Sequence, residues 1–309
     1  MKKLILHNPS FEYIEVAFRE WLDVLGYGQG TVYTMPNIIR EFLYYLETHH
    51  VEHINALSHQ HIRNYYAYIH ARSNERRGGG LSNNYINKHL QAIAKLLEYL
   101  RHKGIQNLPT LNIALEKLSR KEIEVLTIEE VKNLFELCNR ELSSEKECFL
   151  QARDKAMLVI YYSCGLRRNE GIHVDVDDIN LDTRILHVKK GKNYKERFVP
   201  LNKTNCHYLQ TWIYDYRNRQ LQSDGGLGSH RLFINYRGEP TTGGVLYSRL
   251  KLLQQQSEMV ELHQKVIGLH TLRHSIATHF LQAGMSLEKI SRFLGHSSLE
   301  STQIYTHLV

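Results

Sequence analysis

Cysteine is sparse in this chain of 309 residues: Cys138, Cys148, Cys164 and Cys206 are the four, far apart and without a C-x-x-C pair. That spacing excludes a zinc ribbon and a disulfide framework, and it fits a reducing cytoplasm. Long apolar runs are missing too. The longest uncharged apolar stretch, Ala156 to Leu166, is far short of the ~20 residues a membrane span needs, and the N-terminus has no signal-peptide core, so no membrane segment is expected. Internal repeats and low-complexity tracts are likewise absent.

What is present is modest positive charge. Lys and Arg number 39 against 32 Asp and Glu, a net +7 with histidine neutral, which makes an anionic partner, nucleic acid first, the natural expectation. Residues 1–124 carry 15 basic and 12 acidic groups, and residues 125–309 carry 24 and 20. The excess is therefore spread over both halves and does not form a basic tail. A length of 309 residues suits two domains, and 42% hydrophobic content suits packed cores.

Apolar residues recur at helical spacing in four stretches. Ile14, Phe18, Trp21, Leu22 and Leu25 stop at the glycine-rich GYGQG; Ile38, Ile39, Phe42, Leu43 and Leu46 follow; a third runs from Ser58 through HIRNYYAYIH; and Ile86, Leu90, Ile93, Leu97 and Leu100 end before Gly104. Residues 1–108 therefore read as a four-helix unit. Pro109 and the charged EKLSRKEIE mark a linker over 109–125, and a second domain is expected over 126–309. It opens with T-I-E-E, in which the Thr127 hydroxyl and the Glu130 carboxylate can satisfy free amides at a helix start. Helices are expected near 128–138 and 151–162, then a strand RILHV, a polar turn KKGKNY, a strand ERFVPL, the stretch RLFIN, and helices from about 242. The fold class expected is mainly α with a small β-sheet.

The chemistry concentrates in the second domain. His270, Arg273 and His274 in HTLRHS share one helix side. Two histidines at i and i+4 also form a zinc spacing, but the usual general-base Glu is absent and no third ligand is evident. In SCGLRRNEG, Glu170 lies three residues after Arg167 and can hold the guanidinium in a direction suited to gripping a phosphate. In VKKGKNYKERFVPL, Lys189, Lys190, Lys192 and Lys195 crowd a hairpin tip. The ending LGHSSLESTQIYTHLV places His296 after a helix-ending glycine and Tyr305 nine residues on. Asp175, Asp177 and Asp178 also cluster, and a solvated turn explains them more simply than a metal-dependent nuclease does.

Together, G-L-R-x-x-E, K-E-R-x-V-P-L, H-x-L-R-H and L-G-H-x8-Y resemble, in order and spacing, the tyrosine recombinase or phage integrase family, Xer-like site-specific recombinases included. The resemblance implies an N-terminal core-binding (SAM-like) DNA-binding domain and a C-terminal α+β catalytic domain. It implies a DNA strand transferase that cuts and rejoins strands through a covalent 3′-phosphotyrosine, with no metal or ATP. Tyr305 would be the nucleophile, Arg167 and Arg273 would clamp the phosphate, Lys192 would protonate the leaving 5′-oxygen, and His270 and His296 would serve acid-base and hydrogen-bonding roles. Asn193 stands where the family commonly has a second glycine in the hairpin, so Lys190 remains the alternative to Lys192. Double-stranded DNA is the implied partner, with a homotetramer on the DNA synapse and a monomer or dimer off it.

Elementary chemistry supports these parts. Fixed cations aimed at the phosphate oxygens stabilise the added charge of the transition state. A phenol with a pKa near 10 is ionised about one part in a thousand at pH 7, so a base must take its proton, and His270 is the candidate. Nine residues of unbroken helix turn about 900°, which puts His296 and Tyr305 on opposite faces. If both reach one phosphate, as the resemblance implies, they cannot share one straight helix, and a break near Gly295 is expected. Arg72, Arg76, Arg77, Lys88, Arg101 and Lys103 are candidate phosphate contacts of the N-terminal unit. A rival reading takes SLEKISRFLGHSSLESTQIYTH as a helix-turn-helix of a transcription regulator.

Overall fold

The structure is a computed structural model and describes residues 4–74, 78–118, 123–189, 196–223, 228–296 and 298–306. Two compact units divide the chain, Met1–Lys121 and Glu122–Val309.

Among the described residues the first unit holds four α-helices, α1 (Pro9–Val24), α2 (Gln29–Thr48), α3 (His59–Ala71) and α4 (Asn83–His102), and a short 3-10 turn, Ile54–Ala56. Side chains of Asn8, Ser58 and Ser82 accept hydrogen bonds from backbone amides of the first turns of α1, α3 and α4, groups that have no partner within the helix. The apolar stripes close one core that includes Phe11, Phe18, Phe42, Leu46, Ile69 and Leu97. His89 is fully buried there, its Nδ1 2.8 Å from the Tyr65 hydroxyl. Burial first, and the Arg72 charge second, hold its pKa down to about 4. The chain after α4 stays on this unit: Asn87 exchanges two hydrogen bonds with the Glu116 backbone, at 2.7 and 2.9 Å, while the Glu116 carboxylate accepts from Tyr66 and pairs with His70.

The second unit opens with α5 (Ile128–Leu137), capped reciprocally by Thr127 and Glu130 as T-I-E-E predicts. Next comes α6 (Glu145–Leu158), six residues earlier than its apolar run suggests, because Glu145 and Glu147 sit in the first turn where the helix dipole favours acidic groups. It runs into a wider π-helical stretch, Val159–Ser163, and then α7 (Arg168–Ile172). Strands β1 (Ile179–Asn180), β2 (Ile185–Val188) and β3 (Arg197–Pro200) form an antiparallel sheet in the order β1-β2-β3, with Leu186 opposite Val199. Leu186, Val188 and Val199 face the core. RLFIN makes only single bridges, Asp175 with Arg231 and Ile234 with Pro240, and does not join the sheet. Helices complete the unit: α8 (Lys203–Gln210), continued by a π-helical stretch Thr211–Arg217, then α9 (Asn218–Ser223), α10 (Gly243–Gln256), α11 (Val260–Gln264), α12 (Leu269–Gln282), α13 (Leu287–Leu294) and α14 (Glu300–Gln303). The fold is mainly α with a small sheet, as expected.

Candidate active site

The site begins where the stretch after α6 ends. Gly165 has φ +62°, and a β-carbon there would lie 2.9 Å from Leu294 Cδ2, so both backbone and packing require glycine. This turn delivers Arg167 to the start of α7. The Arg167 amide and one guanidinium nitrogen both donate to Glu170, each at 2.8 Å, and another guanidinium nitrogen donates to the Gly295 carbonyl at 3.2 Å. The three-residue spacing read from the sequence thus forms the expected clamp.

Glu170 also holds a second guanidinium. Arg197, at the start of β3, donates to both carboxylate oxygens at 3.1 and 2.9 Å and to the Phe293 carbonyl at 2.9 Å. Burial by itself would raise the Glu170 pKa, but the bonds and charges of Arg197 and Arg167 outweigh it and bring it to about 2. Arg197 is nearly buried and was missed in the sequence. Its only signal was its place in the K-E-R-x-V-P-L string.

Arg273, 3% exposed, projects from α12 and donates to the carbonyls of Gly165 at 2.6 Å and Leu294 at 2.8 Å. Desolvation, followed by the charge of Arg167, lowers its pKa to about 9. Its Nη1 lies 3.7 Å from Glu170, so three guanidiniums share one carboxylate. The cluster carries an excess of two positive charges. An anion is its natural complement.

The C-terminal part closes the site. α13 ends at Gly295, φ +66°, where a β-carbon would press on Arg197 Nη1 at 2.8 Å. His296 follows in the loop, its Nδ1 2.7 Å from the hydroxyl of buried Thr302. Tyr305 comes two residues after α14, 1% exposed, packed on Ala277, Ile290 and Leu294. The expected break between His296 and Tyr305 is therefore present, and it brings their rings to 6.4 Å and nearly parallel. With four residues, α14 is too short to serve as a recognition helix in the rival reading.

The Tyr305 hydroxyl has a partner that the sequence reading did not choose. His274 Nδ1 lies 3.0 Å from it. His270, one turn earlier, is exposed; loss of water around its ring, then the charges of Arg273, Arg167 and Arg168, lower its pKa. Burial, then Arg273 and Arg167, lowers the His296 pKa to about 4. Burial raises the Tyr305 pKa against the opposing pull of Arg273 and Arg167.

Lys190, Lys192, Asn193 and Lys195 lie outside the described residues, as do Arg76 and Arg77. Lys189, at the hairpin's described edge, pairs with Asp178 at 2.7 Å and Asp175 at 3.3 Å, which accounts for two of the clustered aspartates. Lys88, Arg101 and Lys103 are exposed on α4 or its end, whereas Arg72 is drawn inward to the buried Glu41 at 3.0 Å. Among the described residues, no group of three or more His, Cys, Asp or Glu side chains is placed to hold a metal ion.

Residues 124–309 match the sequence model of the phage integrase family. The chain belongs to that family. A tyrosine recombinase XerD from Oceanobacillus iheyensis is 35% identical over 230 residues, covering 74% of this chain and 73% of the relative. Another, from Staphylococcus saprophyticus, is 30% identical over 284 residues, covering 92% and 89%. Among solved structures, the XerH site-specific recombinase in a post-cleavage complex with its difH substrate is similar in fold, with TM-score 0.68 and 20% identity over 99% of this chain and 95% of the other. A lambda integrase dimer bound to a core site has TM-score 0.63 and 15% identity over 95% and 76%.

Proposed function

We propose that this protein is a site-specific DNA recombinase that cuts, holds and rejoins strands through Tyr305. One observation carries the reading: the Tyr305 phenol is packed among His274, His296 and the arginines held by Glu170, all within one unit of the chain.

Duplex DNA supplies the anion. Arg167 and Arg273 face the phosphate's non-bridging oxygens, where charge grows during attack. The Tyr305 oxygen bonds to phosphorus as its O–H bond breaks and the proton passes to a neighbouring histidine. The bond from phosphorus to the 5′-oxygen breaks, and Lys192 gives that oxygen a proton. The cut strand remains attached by its 3′ end as a phosphotyrosine, so rejoining is the reverse of the same step and draws on neither ATP nor metal. His270 and His296 complete the hydrogen bonds to the phosphate. Residues 1–108 act as the core-binding domain, with Lys88, Arg101 and Lys103 on the backbone phosphates. Two duplexes are joined by four protomers, monomers or dimers off DNA, and the work takes place in the cytoplasm.

The test is to express the protein beside its native flanking DNA, lyse in EDTA, and look on a denaturing gel for DNA attached to protein. Wild type is expected to form an adduct and Tyr305→Phe none. Equal DNA binding by both without any adduct overturns the reading and leaves a protein that binds only.

A further inference from the structure

We propose that His274, rather than His270, takes the proton of Tyr305 during attack, an assignment that rests on Tyr305 being the nucleophile. His274 Nδ1 sits 3.0 Å from the phenol oxygen, within the reach a general base requires, and the two ring centroids are 5.6 Å apart. His296, whose ring centroid lies 6.4 Å from that of the phenol, has its Nδ1 engaged by Thr302 at 2.7 Å. His270 lies one turn up the same helix face, exposed and beside Arg273, Arg167 and Arg168, where it is placed to meet the phosphate. The two histidines that the i, i+4 spacing puts on one face therefore divide the work, one toward the phosphate and one toward the nucleophile.

The proton inventory closes. Neutral His274 carries its hydrogen on Nε2 and accepts at Nδ1. As the Tyr305 oxygen bonds to phosphorus, the O–H bond breaks and its proton moves to Nδ1, giving an imidazolium. The 5′-oxygen leaves with the electron pair of its bond to phosphorus and is protonated by the general acid. In the reverse reaction the imidazolium returns its proton to the phenol. The groups facing His274 favour its neutral form beforehand: burial, then His270 and Arg273 of its own helix, hold its pKa at about 4. Across the site, Arg167 lies near Tyr305, and His296 stacks on that ring. The phenol becomes a strong acid only as its oxygen bonds to phosphorus, so a weak base already in contact is sufficient.

The experiment first selects, from a pool of random duplexes, DNA that wild type captures covalently. That strand is then remade with a sulfur in place of the leaving 5′-oxygen, which removes the need for a general acid, and adduct formation is timed from pH 6 to 9. Wild type is expected to vary little with pH. His274→Gln is expected to bind the duplex as wild type does, to react ~100-fold more slowly at pH 7, and to recover about tenfold per pH unit, because attack then waits for free phenolate. His270→Ala is expected to keep the flat wild-type profile. A His274→Gln loss equal at every pH, as a merely positional role gives, overturns the assignment, and so does a loss below threefold. A recovering profile in His270→Ala with a flat one in His274→Gln returns the role to His270. If wild type captures no duplex, or Tyr305→Phe captures it equally, the nucleophile reading itself fails.

Discussion

Glu170 and Arg197 form a buried pair in which both carboxylate oxygens accept, at 3.1 and 2.9 Å, and both side chains are less than one-tenth exposed. Arg167 and Arg273 rest on the same carboxylate. One negative charge thus organises three positive ones, contributed by the residue that precedes α7, by β3 and by α12. Glu170→Gln is expected to destabilise the protein by about 3–5 kcal/mol, because removing one partner leaves buried charge uncompensated. Urea unfolding at pH 7 measures it.

Arg273 donates to two carbonyls with separate nitrogens, at 2.6 and 2.8 Å, which a single ammonium on a longer, looser stem cannot reproduce. Arg273→Lys is expected to retain DNA binding and lower the rate of adduct formation by about 100-fold. Timed quenching on the captured duplex, with binding followed in parallel, separates the two effects.

Acid should weaken the fold. His89, His274 and His296 have folded pKa values of about 4, below the 6.5 of an unfolded histidine. As pH falls below 6.5 the unfolded chain takes up protons that the folded chain refuses, so stability present above that pH is lost progressively down to about pH 4. Fully buried His89 alone accounts for a loss of about 3 kcal/mol at the lower end; the half-buried pair at the site adds less. Unfolding midpoints at pH 7, 6 and 5 should fall in that order, and the fall should shrink in His89→Gln.

Phosphate contacts from the first unit are testable through salt. If Lys88, Arg101 and Lys103 meet backbone phosphates, changing each to Gln lowers the slope of log affinity against log salt by about 0.9. Arg72→Gln is expected to leave the slope unchanged and lower stability instead, since its partner is the buried Glu41.

At the site, Gly165→Ala must adopt a left-handed backbone and push on Leu294, 2.9 Å from the added carbon. The backbone cost alone is about 1–2 kcal/mol, and crowding adds to it. A lowered melting temperature together with slower adduct formation is expected, because the Gly165 carbonyl is what holds Arg273.

The four helical stripes, the Thr127–Glu130 cap, the Arg167–Glu170 clamp and the break at Gly295 were all legible in the sequence. Each depends on groups close together in the chain, so local spacing carries the information. The conformation of RLFIN was not legible, because an apolar run describes burial equally well with or without a ladder partner, and this one lies in the core with isolated bridges.

What the sequence by itself determined is the inventory: which cations, imidazoles and phenol the chain carries, and in what order. The tertiary structure decided who touches whom. Arg197 reads as a surface charge on a strand until β3 lays it against Glu170, and His274 is one of two equivalent histidines on a helix face until the turn after α14 brings the Tyr305 hydroxyl to its Nδ1. Those contacts join segments far apart in the chain, and their geometry depends on how the intervening helices pack, which no local spacing encodes.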